Sequence, residues 1–537
     1  MKTRKSPRCT RREFIGTLGA AAGLAAPAMA LAAPAIVVPG QASGEAPLKA
    51  RIKVDVDRQF GSIDPNLYGY FIEHFPKCIY GGIVDEGSLL SDAEGIRKDA
   101  LQAARELRVT QLRWPGGNFV SGYRWREGIG PKEARPTRWE MAWGRPESNR
   151  FGTDEFMSYC RKLGTEPHIC VNMGDGTLDE AATWVEYCNR AGGTYYSDLR
   201  KKNGHAEPYG VKYWGLGNEV WGNWQIGYKN ATDYAKAAVE FAKVMRWHDP
   251  TIKLIACGNG DPNWDMPVLD ALASQVDYLS VHHYTNAHEL KRDYYEIMGS
   301  TVVLEDMIRR TEMVTSVASA KAKKSAPIAI ALDEFAIDNR TVASEKETDL
   351  GKMDWTSNQR DVLWVGAALN ILQRHCRTVR MANVTFLVNG ASPIATTPTA
   401  TLKRAIYYPM QLYAHRAGKV GLDIMAISPS FSTKNFGEHP YLDVSGSWDE
   451  EKRRVTLAVV NRRREGAVAG TIELAGVRAR PGGRAFVITA ASPDIENTFE
   501  SPTNITTKET ALNASGGRWE SRFSPHSLTW LEFEVEA

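Results

Sequence analysis

Cysteine is scarce in this chain of 537 residues: there are seven, and no two form a C-x-x-C pair. No Cys/His cluster stands at zinc-binding spacing either, so a disulfide-stapled scaffold and a structural zinc site are both excluded. Charge of one sign is also lacking. The formal net charge is +3, but Lys2, Arg4, Lys5, Arg8, Arg11 and Arg12 against Glu13 put +5 into residues 1–33, leaving −2 for the rest. A nearly neutral body excludes a broad electrostatic claim on nucleic acid or an anionic membrane and points to a neutral partner. A glycine-rich phosphate turn is missing. Gly215-Leu216-Gly217-Asn218-Glu219-Val220 is the nearest approach to one, and it lacks the third glycine, which argues against a doubly wound dinucleotide-binding sheet. Beyond residue 33 no apolar run is long enough to span a bilayer, and there is no internal repeat or low-complexity tract.

What is present begins with an address. Thr10-Arg11-Arg12-Glu13-Phe14-Ile15 precedes a Gly/Ala-rich stretch, Gly16 to Ala33, with small-residue cleavage sites at Ala28-Met29-Ala30 and Ala30-Leu31-Ala32. Residues 1–33 thus resemble a twin-arginine export signal, which carries folded proteins across the bacterial inner membrane. The expected location is the periplasm or the medium, with no membrane contact after signal removal. A membrane anchor is disfavoured by Pro27 and by the small transfer energies of glycine and alanine. Cys9 leaves with the signal. Cys78, Cys160, Cys170, Cys188, Cys257 and Cys376 remain, widely spaced, and read as small buried apolar residues.

Residues 34–47 read as a linker, and 48–65 as an N-terminal strand in which Ile52, Val54 and Val56 alternate with charges. From residue 66 to 408, short apolar runs alternate with helical periodicity. Eight runs are expected as strands: Leu67–Glu73, Thr110–Trp114, His168–Met173, Val211–Gly217, Lys253–Cys257, Tyr278–Tyr284, Ile328–Glu334 and Val384–Asn389. Nearly continuous apolar runs are what parallel strands covered on both faces require. Between them Tyr234, Ala238, Phe241 and Met245 fall at helical spacing. The spacing predicts an α/β fold, a (β/α)8 TIM barrel with enlarged loops. Over 409–537 the period becomes two: Val455, Leu457 and Val459; Ile472 and Leu474; Phe486 and Ile488; Leu531, Phe533 and Val535. This predicts an all-β antiparallel sandwich, jelly-roll-like, completed by the N-terminal strand.

Catalytic groups of barrel enzymes sit at the C-terminal ends of strands. Glu73, Glu219 and Glu334 close the first, fourth and seventh expected strands. Two glutamates on strands four and seven face each other across the barrel mouth, the arrangement that glycosidic bond hydrolysis needs: one proton donor and one nucleophile or base. The consecutive His282 and His283 invite a metal reading, but neighbouring strand residues point to opposite faces, so no metal and no cofactor is expected.

The motifs at these strand ends are similar to those of a known family. Glu73-His74 with Ile79-Tyr80-Gly81-Gly82-Ile83, the run Arg113-Trp114-Pro115-Gly116-Gly117-Asn118-Phe119-Val120-Ser121-Gly122-Tyr123, Asn149-Arg150-Phe151-Gly152-Thr153-Asp154-Glu155-Phe156, and Trp214-Gly215-Leu216-Gly217-Asn218-Glu219 with Glu334 carry the likeness. Over residues 50–535 the chain resembles the α-L-arabinofuranosidases of glycoside hydrolase family 51. The resemblance implies a retaining exo-hydrolase that releases terminal α-L-arabinofuranosyl residues from arabinose-containing oligo- or polysaccharides of the hemicellulose or pectin type. It also implies a homo-oligomer, a hexamer. By position, Glu219 would be the general acid/base and Glu334 the nucleophile. Asn218 would bond the sugar's 2-hydroxyl, Glu73 and Asn118 other hydroxyls, and Tyr284 would orient the nucleophile with His282 nearby. Trp355 would wall the sugar. One departure stands out: at strand eight the family usually has Gln-Leu-Val-Asn, and here the sequence is Phe386-Leu387-Val388-Asn389, removing a polar contact to the furanose. Alternatives are another furanosidase or an endo-glucanase on this framework, or a catalytically silent carbohydrate-binding protein. A retaining pair should stand about 5 Å apart.

Overall fold

The computed structural model describes residues 48–341 and 354–536; the expected export signal and linker lie outside them. Eight parallel strands close into a barrel in chain order, the eighth pairing with the first. They are Gly69–Phe71, Gln111–Trp114, Glu166–Val171, Tyr213–Leu216, Lys253–Cys257, Tyr278–Asn286, Ala329–Asp338 and Val379–Thr385. Seven overlap the expected runs closely. The eighth is a correction: it begins at Val379, and Phe386–Asn389 lies beyond its end. Arg380 and Asn383 had hidden it. Asn383 is buried in the barrel, its amide donating to the Tyr70 carbonyl at 2.9 Å and to the Gln111 side chain, so a polar residue occupies a core position. The seventh strand also differs, running on past Glu334 to Asp338 because it stays paired with strand six as far as Asn286↔Asp338.

Helices cover the ring. Ala231–His248 starts where the Asn230 side chain accepts the Asp233 N–H, and it buries Tyr234, Ala238, Phe241 and Met245 as the periodicity predicts. The last barrel helix runs Tyr407–Arg416. The change to strand therefore comes at Val420, not at 408/409, because the helical period carries on through Leu412 and Tyr413.

The sandwich has two sheets. The N-terminal segment supplies a strand to each. Leu48–Asp55 lies parallel to Val468–Ala475 and antiparallel to Met425–Ile427, whereas Gln59–Ser62 pairs with Val420–Leu422. The second sheet turns one face inward through Val455, Leu457, Val459, Leu531 and Phe533. Its other face, with Ala458, Val460, Leu528 and Trp530, joins the barrel core. Between sheet and barrel lies helix Gln359–Arg374, buried along its length. All six described cysteines are buried and unpaired. Among the described residues no helix is long and apolar enough to cross a membrane.

Candidate active site

Three glutamates converge at the C-terminal mouth of the barrel, and the chain reaches each differently. Glu73 lies two residues past strand one. Glu334 is inside strand seven. Glu219 follows strand four through left-handed backbone, with φ of +80° at Gly217 and +42° at Glu219 itself. A glutamate in that region is strained and is held there by its surroundings. The Glu219 carbonyl accepts the Gly222 N–H at 2.7 Å, and its carboxylate is gripped from two sides.

The grip comes from a cage of charges. His282 Nδ1 lies 2.9 Å from Glu219 Oε1 and 3.6 Å from Glu334 Oε2, and its Nε2 lies 3.1 Å from Asp333 Oδ1. Arg113 Nη1 donates to Glu334 Oε1 at 2.7 Å, Nη2 donates to Asn218 Oδ1 at 2.6 Å, and Nε pairs with Asp333 at 3.4 Å. The Tyr284 hydroxyl donates to Glu334 Oε2 at 2.5 Å. Burial alone would depress the His282 imidazole, but Glu334, Asp333 and Glu219 outweigh it and push it up to about 10. Burial likewise works against the Asp333 charge, yet Arg113 and His282 hold its carboxyl well below the usual range. One oxygen each from Glu219 and Glu334 and one His282 nitrogen all lie within 4.8 Å of one another. A single small cation could be bracketed at that spacing, and its binding would have to displace the His282 proton.

Glu73 faces this cage from the other side. Its Oε1 accepts the Phe119 N–H at 2.8 Å and the Trp143 indole N–H at 3.1 Å. Burial, reinforced by Glu334, pushes its carboxyl up to about 8 against those two bonds. Two glycines make the room. A Cβ on Gly116, where φ is +132°, would lie 2.4 Å from Glu73 Cγ. One on Gly117 would sit 3.3 Å from Glu334 Oε1 and 3.4 Å from Glu73 Oε2. The space between these carboxylates exists because no side chain fills it.

The structure brings together Glu73, Asn218, Glu219, His282, Tyr284 and Glu334. Asn118 opens the short helix whose next residue, Phe119, bonds Glu73. Asn218 spends its carbonyl on Arg113, which leaves its amide N–H groups to donate. Both His282 nitrogens face carboxylates, so it stands beside Glu334, as expected, and holds the acids. Trp355 packs edge-on against Phe75 at 5.8 Å, and Phe75 stacks on Phe386 at 4.9 Å. Phe386 in turn meets Phe71 at 5.0 Å. Where the family's glutamine would offer an amide, this site has an aromatic wall. His283 points away, stacked on Trp364.

Sequence reasoning assigned no role to Arg113, Asp333, Trp143 or Trp224. The first two carried a signal. A buried arginine in an apolar strand demands partners, and an acid beside Glu334 was one of them. Trp224 Nε1, 3.3 Å from Glu219 Oε2, and Trp143 carried none.

Comparison with known proteins agrees with this geometry. Residues 103–300 match the family model "Alpha-L-arabinofuranosidase 1 domain", and 333–527 match "Alpha-L-arabinofuranosidase C-terminal domain". Alpha-L-arabinofuranosidase C of Emericella nidulans is 36% identical over 507 residues, covering 90% of this chain and 97% of that protein. The intracellular exo-alpha-(1->5)-L-arabinofuranosidase 1 of Bacillus subtilis is 36% identical over 431 residues, covering 77% of this chain and 85% of that one. Among solved structures, the alpha-L-arabinofuranosidase of Thermotoga maritima in its arabinose complex superposes with a TM-score of 0.83 at 37% identity. That match covers 90% of this chain and 99% of the other. The GH51 enzyme of Thermotoga petrophila gives the same TM-score and identity, covering 90% and 100%.

Proposed function

This chain belongs to glycoside hydrolase family 51 and is an α-L-arabinofuranosidase, and from that premise we propose that it is an exported, retaining exo-enzyme using Glu334 and Glu219. The observation that carries retention is the short span between the two acids. Within 4.8 Å there is no room for a water between Glu334 and an anomeric carbon, so the carboxylate itself attacks. Glu219 gives its proton to the departing glycosidic oxygen as the Glu334 ester forms. It then takes a proton from water, which opens the ester and frees arabinose. Arg113 and Tyr284 each hold one Glu334 oxygen and so fix its line of attack. His282 presents positive charge to Glu219 once that residue has lost its proton. Asn218, Glu73 and Asn118 bind hydroxyls, and Trp355 with Phe75 and Phe386 walls the ring. Proton NMR of the first sugar released from an aryl α-L-arabinofuranoside tests the mechanism: the α-anomer is expected, and the β-anomer first would mean inversion.

Export rests on residues 1–33. Arg11→Lys/Arg12→Lys should leave the enzyme in the cytoplasmic fraction, and unchanged delivery would overturn the assignment. Natural substrates are arabinose side chains of hemicellulose or pectin, and a panel of aryl glycosides separates this from other furanosidases and from endo-glucanases. Assembly as a hexamer follows the family resemblance; light scattering in solution checks it.

A further inference from the structure

We propose that the hairpin Arg138–Glu147 and the loop after barrel strand four form a leaving-group platform, with Trp139 and Met141 at its edge, for the sugars of a neutral oligosaccharide beyond the scissile bond. The proposal rests on the arabinofuranosidase reading and names where that enzyme holds the rest of its substrate.

The hairpin is fixed at its base and tip. Glu147, buried, accepts from the Tyr80 hydroxyl at 2.6 Å and lies 2.9 Å from His74 Nδ1. At the tip the buried Glu140 carboxylate accepts the N–H groups of Ala142 and Trp143, and the Trp143 indole reaches Glu73. Trp139, on the first strand, points away from the side of its buried neighbour Glu140, and Met141 opens the turn that follows. Trp139 is 66% exposed and Met141 50%. Two large apolar side chains on a well-tied hairpin beside a catalytic mouth call for an occupant.

That occupant is set by continuity with the acid. A Cβ on Gly122 would lie 3.3 Å from Ile226 Cδ1 and 3.4 Å from Met141 Cε, so these side chains meet over Gly122 and join the hairpin to the strand-four loop. In the same loop Trp224 donates to Glu219 Oε2 and stands edge-on to Trp221 at 5.2 Å. A path of near neighbours thus leads from Glu219 through Trp224 and, two residues on, Ile226 to Met141 and, two residues back along the hairpin, Trp139; it starts at the group assigned to protonate the leaving oxygen. Aromatic and thioether faces suit the C–H faces of sugar rings. Of the nearby cations, Arg138 is paired with Glu127 and Arg124 with both oxygens of Asp175 at 2.8 Å, so neither is left to draw a uronic acid in preference to a neutral sugar.

The experiment compares Trp139→Ala and Trp139→Ala/Met141→Ala with the parent on two substrates: p-nitrophenyl α-L-arabinofuranoside and an arabino-oligosaccharide. The platform predicts that kcat/KM falls about tenfold on the oligosaccharide, and further in the double variant, while the aryl substrate changes less than twofold. Equal losses on both substrates, or none on either, overturn it. A lower solution mass for Trp139→Ala together with equal losses would put Trp139 in a subunit contact and likewise overturn it. If the parent hydrolyses neither substrate, the arabinofuranosidase reading fails, and binding judges the platform separately. Tryptophan fluorescence quenched by the oligosaccharide, but not by arabinose, should be lost in Trp139→Ala; quenching retained there counts against the platform.

Discussion

The barrel and the sandwich solve the burial problem in opposite ways. The sandwich interior is filled by Ile52, Val54, Val444, Val455, Leu457, Leu531 and Phe533, side chains that ask only for shape and dryness. The upper barrel interior is filled by the side chains of Arg113, Asp333, Glu334, His282 and Asn218, which tolerate burial only because each is paired. A buried ion cage is weak as a source of stability. Its use here is to hold two carboxylates, one strained in φ, at a spacing that free side chains in water would not keep. Stability is supplied below and beside the site, and geometry within it.

The sharpest way to break this contrast is to remove the acids in turn. Glu334→Ala should lower turnover by roughly 10^5-fold on every substrate if Glu334 is the nucleophile, as proposed. Glu219→Ala should cost about 10^2- to 10^4-fold on an oligosaccharide but far less on a dinitrophenyl arabinofuranoside, whose leaving group needs no proton. Azide should rescue the Glu219 variant and give a β-configured glycosyl azide; identical responses from the two variants would refute the roles. Neither change should unfold the chain. Next in size, Arg113→Met leaves two carboxylates uncompensated and should cost about 3–5 kcal/mol in denaturant unfolding. Leu457→Ala in the sandwich should cost about 2–5 kcal/mol by cavity formation alone and leave kcat intact at a temperature where the variant is folded. If the Leu457 variant lost kcat as the Glu334 and Glu219 variants do, the division between the two interiors would be false.

Much of this was written in the sequence. Strands two to six were legible because Thr110–Trp114 or Lys253–Cys257 are short apolar runs between helical stretches, and Glu219 and Glu334 because acids seldom close such runs. Strand eight was not, since Asn383 stands at a core position that only its pairing with Gln111 explains. The cage was illegible for a related reason: Arg113, His282 and Asp333 come from three strands, and no local pattern announces a contact across 220 residues. Val455–Asn461 looked half-exposed by its alternation, yet both faces are buried because helix Gln359–Arg374 covers the second.

Smaller effects sharpen the same contrast. Tyr284→Phe removes one bond to a charged group and should lower kcat/KM by about 10- to 100-fold, with little change in melting temperature. For pH, the sign follows from two raised groups. His282 holds its proton to about 10 rather than 6.5, so its contribution is complete below pH 6.5 and is lost as pH rises through 10. Glu73 holds its proton to about 8 when folded but releases it near 4.5 when unfolded, so stability also declines across that interval. The melting temperature should therefore fall from pH 6.5 to 10, a loss of at least about 1.4 kcal/mol. His282→Gln should flatten the limb above about pH 9, where Glu73 has largely finished titrating; an unchanged slope there would remove His282 from the cage.

The strand Leu48–Asp55 sets a clock on the making of this enzyme. Arg51 finds its partner Glu473 422 positions later, and the strand's parallel neighbour is Val468–Ala475. At about 5–20 residues per second on the ribosome, the first described residues wait roughly 20–80 s for the segment that will clasp them. Until then the sheet edge they complete does not exist. A chain cut short before residue 468 lacks the parallel neighbour of its first strand. Closure of this seam therefore comes only when synthesis has run nearly to its end.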